Sequence, residues 1–157
     1  MPRLMALDVS EKRIGIALTD ESGAIVTPHS TLVRQPGRRR DMAALRSLIA
    51  EYNVSEIVVG LPIRMGGEHG AQAAKIEAFV RDLRGSVRIP IELEDERLTT
   101  AEAKEMLAVL SSPRRRDETK LDAFAAALIL ESYLGRRSAG IAAGPSGADG
   151  ETESEKG

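Results

Sequence analysis

Three acidic positions stand out because apolar residues surround them. Asp8 follows the run Leu4-Met5-Ala6-Leu7, where an unpaired charge is costly. Its ordinary alternative is to cap the turn that comes next. Asp122 has Ala125, Ala126, Ile129 and Tyr133 behind it, at helical offsets that put the acid on an apolar stripe. A first-turn acid favoured by the helix dipole would show the same pattern. The third position is Asp95 or Glu96. Strict alternation sets Ile89, Ile91 and Leu93 on one face with Asp95, and Glu92, Glu94 and Glu96 on a solvated one. A bulge or strand end before Glu96 would turn it inward instead, so the residues leave the pair open. Three converging carboxylates without histidine or cysteine are hard oxygen ligands, suited to Mg²⁺ or Mn²⁺ and not to zinc. Such a site suits phosphodiester hydrolysis by two metal ions, one generating hydroxide and the other stabilising the leaving oxygen.

Composition narrows the alternatives. The 157 residues include no cysteine and 2 histidines, His29 and His69, which excludes disulfides, thiolate zinc sites and a cysteine nucleophile. With no cysteine and no export signal, a reducing cytoplasm is expected. Aromatic residues make up 3%, too few for a platform that binds single strands by stacking many bases. No apolar run approaches the ~20 residues of a membrane span, while 42% hydrophobic content suffices for a core. The net charge of −2 is uneven. Residues 138–157 hold four acids against Lys156, so residues 1–137 are nearly neutral. Any grip on nucleic acid must come from local clusters. Arg34, Arg38, Arg39 and Arg40 form one, and Arg114, Arg115, Arg116 and Lys120 another. A solvated surface is the commoner meaning of either alone.

The acids need elements to position them. The pattern predicts strands over 3–9 and 12–19 joined as a hairpin across Ser10-Glu11, and a weaker strand within 24–33, interrupted by Pro28. Met42, Leu45, Leu48, Ile49 and Tyr52 mark a helix that Asn53 ends. A buried strand over 55–60 leads into the glycine-rich loop GLPIRMGGEHG, which lacks the Gly-Lys-Ser/Thr ending of a Walker phosphate loop. Ile76, Phe79, Val80 and Leu83 mark a second helix, and 89–94 a fifth strand. Thr99 and Glu102 have the spacing of a capping box ahead of a helix marked by Ala103, Met106, Leu107 and Leu110. Residues 118–134 form a last, alanine-rich helix. Residues 1–137 read as one domain, and the small polar stretch from Ser138 as a disordered acidic tail. Strands that pair antiparallel and then alternate with helices give an α/β fold. It is a ribonuclease H-like mixed five-stranded sheet, three antiparallel strands then parallel ones, with helices on both faces.

At these residues the chain resembles the YqgF/RuvX family of Holliday junction resolvases and pre-16S ribosomal RNA nucleases. The matching segments are ALDVSEKRIGIALTD (6–20), IVVGLPIRMGGEHG (57–70), DERLTTAEA (95–103) and KLDAFAAALILESYL (120–134). The resemblance implies a divalent-metal nuclease. It assigns the metal-binding and catalytic acids to Asp8, Glu96 and Asp122, favouring Glu96 over Asp95. It makes Lys12, Arg13 and Arg97 substrate-binding or site-organising residues. Ser10 and Arg64 stand where the family usually has glycine and asparagine. Ser10 is expected to strain the turn if that glycine supplies a special backbone angle, and Arg64 to add a phosphate contact.

The leading expectation is an endonuclease acting on structured nucleic acid in 5′-end maturation of small-subunit ribosomal RNA, in the cytoplasm and without a membrane partner. A junction-cleaving DNA nuclease is the alternative and implies a homodimer, because two strands are cut symmetrically. A sugar-kinase-like ATPase needs two lobes, more than 157 residues build. A non-catalytic ribosome-assembly or transcription-linked factor has no use for the acid set.

Overall fold

The computed structural model describes residues 3–62, 70–96, 105 and 118–138. Its strands are β1 (Arg3–Val9), β2 (Arg13–Thr19), β3 (Val26–Val33), β4 (Val54–Leu61) and β5 (Ile91–Asp95). The helices are α1 (Arg39–Glu51), α2 (Ala71–Ser86) and α3 (Glu118–Ser138). The sheet order is β3-β2-β1-β4-β5. β1 pairs antiparallel with β2, and β2 with β3. β1 pairs parallel with β4, and β4 with β5.

Both faces of the sheet are covered, by different chemistry. Met5, Leu7, Ile14, Ile16, Ile57 and Val59 point to one face and pack with Met42 and Leu45 of α1 and Ile76, Phe79 and Val80 of α2. Alternation sends the neighbouring residues Ala6, Ala17 and Val58 to the other face, under Ala126, Ala127, Ile129 and Leu130 of α3. The alanines on both sides let α3 lie close to the sheet.

Where the chain differs from the sequence pattern, the cause is visible. Pro28 is accommodated because β3 is an edge strand, and the register shifts between Ile16 and Ala17. Asn53 turns the chain from α1 into β4 with φ 54°. The charged face expected at Glu92, Glu94 and Glu96 is not solvated at Glu94, which is 1% exposed beneath α3. Arg136 Nη2 donates to Glu94 Oε1 at 2.5 Å, and Ser132 Oγ to Oε2 at 2.9 Å. Next to it Tyr133 donates to Glu56 at 2.6 Å and Arg137 at 3.1 Å. These bonds explain why α3 continues through Ser138 instead of ending at 134, and they carry it past the expected start of the tail. Glu94→Gln is expected to cost about 2 kcal/mol, since Arg136 loses its counter-charge in a largely buried setting. A urea unfolding curve with an unshifted midpoint would contradict this.

Arg34 and Arg38, expected as a grip on nucleic acid, serve the fold. Arg34 Nε donates to the buried Asp41 at 3.1 Å and its Nη1 to the Ser10 carbonyl at 2.9 Å, and its guanidinium lies 5.3 Å from the centre of the Phe79 ring. Arg38 donates to Asp82 at 2.8 Å. Both arginines therefore lie against α1 and α2, on the layer opposite α3. Among the described residues no helix is long and apolar enough to cross a membrane. The capping box at Thr99, its helix, Arg114–Arg116, His69 and the stretch 139–157 lie outside the described residues.

Candidate active site

The α3 face of the sheet carries a row of residues fixed by strand pairing. Asp8 is opposite Gly15, and Gly15 is opposite Thr31. On the other side Leu7 pairs with Val59, so continuing that register by one residue sets Gly60 beside Asp8. Gly60 in turn pairs with Glu94. Asp8 thus lies between two glycines, and both omit a side chain for the same reason. A Cβ at Gly15 would collide with the Asp122 carbonyl. A Cβ at Gly60 would lie 2.5 Å from Ile129 Cδ1 and 2.8 Å from Glu96 Oε2. The first glycine admits α3 at Asp122, and the second admits both α3 and the Glu96 carboxylate.

The geometry therefore gathers Asp8, Glu96 and Asp122 on one face. Between Asp95 and Glu96, the Glu96 carboxylate is the one beside Gly60, its Oε2 2.8 Å from where a Cβ there would lie. β5 ends at Asp95, and this strand end just before Glu96 turns it inward. The sequence pattern pointed the other way because it treated the Ile91 side as the only interior, whereas α3 makes a second one.

Electrostatics record the convergence. Burial raises Asp8 most, and the charges of Glu96 and then Asp122 raise it further, to about 7 from its ordinary 3.8. Glu96 is raised too, by burial and then by Asp95. Asp122 is held differently: Arg13 Nε donates to its Oδ2 at 2.6 Å, with Arg13 27% and Asp122 20% exposed. Arg13 stands two residues from Gly15 on the same strand face, so Asp122 sits between a cation and an acid. Among the described residues no three acidic, histidine or cysteine side chains form a group spaced to hold a metal. The charges of Glu96 and Asp122 reach Asp8, but Asp122 is turned toward Arg13.

The turn before Arg13 is unstrained. Ser10 N and Oγ both donate to the Arg13 carbonyl at 2.9 Å, and Arg13 N donates to Ser10 Oγ at 3.1 Å. Asn53 is the only non-glycine with positive φ among the described residues. Ser10 therefore needs no glycine-like angle, contrary to the expected strain, and its hydroxyl helps close the turn. Lys12 lies exposed on that turn. Arg64 and Arg97 lie outside the described residues. The sequence pattern missed the spacing role of Gly15 and Gly60. The available signal was small residues alternating with Ile14, Ile16 and Leu18 on β2, which marks a face that a helix approaches closely.

This sheet order, with helices on both faces, is the ribonuclease H-like arrangement. The chain is similar in fold to Thermus thermophilus RuvC in complex with Holliday junction substrate, with a TM-score of 0.57 at 12% identity over 86% of this chain and 96% of that one. A second structure of RuvC from Thermus thermophilus gives 0.55 at 14% identity over 86% and 96%. A family model described as RuvX, Holliday junction resolvase, matches residues 2–136. A relative from Chloroflexus aggregans, named "Putative pre-16S rRNA nuclease", is 41% identical over 85% of this chain and 94% of its own length. One of the same name from Syntrophus aciditrophicus is 42% identical over 84% and 87%. The chain belongs to the RuvX family.

Proposed function

We propose that the chain is a nuclease that hydrolyses phosphodiester bonds in the precursor of 16S ribosomal RNA, with Mg²⁺ or Mn²⁺ held by Asp8, Glu96 and Asp122. The observation that carries this reading is the meeting of Asp8, Glu96 and Asp122 on one sheet face, where Gly15 and Gly60 leave room for the Asp122 backbone and the Glu96 carboxylate on either side of Asp8. Three acids crowded together are unfavourable until a cation neutralises them, and an all-oxygen donor set fits a hard divalent ion. The names of the relatives support the choice of substrate.

When bound, the ion supplies an ionised water and positive charge for the leaving oxygen. The remaining work belongs to side chains. Arg13, beside Asp122, binds a phosphate oxygen through its guanidinium, and Lys12 on the same turn adds a point charge. Arg97 completes the phosphate grip as the family resemblance implies, and Arg64, where the family usually has asparagine, adds a further phosphate contact. Arg13 also competes for Asp122 while substrate is absent. Arg13→Gln is therefore expected to bind Mn²⁺ about fivefold more tightly in calorimetry, the worth of a partly exposed ion pair. Unchanged or weaker binding would contradict that role.

The family description favours a second reading, cleavage of branched DNA by a symmetric homodimer. Incubating the protein and Mn²⁺ with labelled 16S precursor and, in parallel, with a four-way junction separates the two. Cutting of the precursor at its 5′ side is expected. Symmetric junction cutting by a dimer, with the precursor intact, would replace this reading with the second. Cutting of neither would end both.

A further inference from the structure

A cleft of about 450 Å³ opens between edge strand β3 and the first turns of α3, lined by Pro28, Thr31, Lys120, Ala123 and Phe124 together with His29 and Ser30. Its volume is in the range of small-ligand pockets. Its place in the fold matters as much as its size. Thr31 pairs with Gly15, which pairs with Asp8, so the cleft begins two strands from that acid, about 10 Å at the usual strand spacing. Lys120 and Phe124 bracket Asp122 in sequence, two residues to either side.

The lining has two characters. Pro28, Ala123 and the Phe124 ring supply an apolar wall, and Lys120 and Thr31 supply charge and a hydroxyl. The chain has 2 phenylalanines. Phe79 is 4% exposed in the main core, whereas Phe124 is only partly buried and lines the cleft. His29 is committed elsewhere: its Nε2 is 3.0 Å from Tyr52 Oη and its Nδ1 2.8 Å from Ser30 Oγ. A flat apolar body carrying an anion fits such a cleft, and beside the acids the group of that description is a nucleotide.

We propose that this cleft holds one unpaired nucleotide of the substrate strand, its base stacked on Phe124 and its phosphate toward Lys120. The proposal rests on the nuclease reading for the identity of the strand. It gives the protein a means of selecting sites next to an unpaired base, through one aromatic contact and not through a stacking platform. The sugar is not discriminated by this contact, so ribose and deoxyribose strands share the chemistry.

The test measures binding alone, by fluorescence anisotropy of the full chain in EDTA. The probes are end-labelled single strands of RNA and of DNA, each compared with a strand of equal length made of abasic units. The parent is expected to favour the base-bearing strands about tenfold, the worth of one stacked base. Phe124→Ala is expected to bring their affinity down to that of the abasic strand. Phe124→Leu keeps an apolar side chain but removes the π face, and it should lose most of the preference with an unshifted melting temperature. Lys120→Ala should weaken all strands alike. A parent without base preference, or a Phe124→Leu protein that keeps it, overturns the subsite. A preference for RNA over DNA that vanishes with Phe124→Leu would also overturn it, because it would mean the contact reads the sugar. Asp8→Asn is expected to retain the preference while losing cleavage. Loss of base preference with cleavage intact therefore removes the subsite alone, and absence of cleavage with the preference intact removes the nuclease reading alone.

Discussion

Asp8→Asn is expected to lower Mn²⁺-dependent cleavage by on the order of a thousandfold or more, beyond the 10–100-fold typical of losing an outer-shell partner. The substitution is isosteric, and it removes the charge at the middle of the row between Gly15 and Gly60. It should also strengthen the metal-free fold. The Asp8 carboxyl titrates near 7 in the folded protein and near its ordinary 3.8 when unfolded. The folded state therefore binds the extra proton, and stability falls as pH rises from about 4 to about 7. At ~1.4 kcal/mol per unit the full swing is about 4 kcal/mol. In EDTA, urea unfolding of the parent should show this decline, and Asp8→Asn should flatten it. Equal slopes for the two proteins would mean that Asp8 is not crowded by its neighbours, whatever the activity shows.

Gly15→Ala should be the most damaging single-atom addition among the described glycines. The new methyl meets the carbonyl group of Asp122, which is backbone and cannot rotate away. Either β2 or α3 must move. Overpacking of this kind costs typically 1–3 kcal/mol and occasionally more, and a rigid backbone obstacle argues for about 3 kcal/mol. The displacement also carries Asp122 away from Asp8, so cleavage should fall even where the protein remains folded. Unfolding midpoints and initial cleavage rates at a temperature below the transition test both parts. A Gly15→Ala protein as stable and active as its parent would show that the close approach of α3 is not required.

The sheet was legible in the sequence because both its signals are local. Alternation marked β2, unbroken apolar runs marked β1 and β4, and helical spacing marked α1, α2 and α3. Asp8 and Asp122 were legible as acids on apolar stripes. Glu96 was favoured only by the family resemblance, because it stands just past the end of β5, where the alternation that would orient it stops. The end of α3 was misplaced because contacts far away in the chain hold it. Residues 118–134 read as the helix, yet Arg136 and Arg137 extend it, held by Glu94 and Glu56. Arg34 shows the converse case. A basic cluster in sequence became a fold contact once Asp41 was buried beside it.

Crystals soaked in Mn²⁺ and read by anomalous scattering give the most direct view of the acids. A peak is expected with carboxylate oxygens of Asp8, Glu96 and Asp122 around it at about 2.0–2.2 Å, near the usual range for hard divalent ions, with Asp122 swung off Arg13. A soaked crystal in which Asp122 still holds Arg13 and no peak lies between the three carboxylates would contradict the metal site, and with it the nuclease chemistry proposed for this face of the sheet.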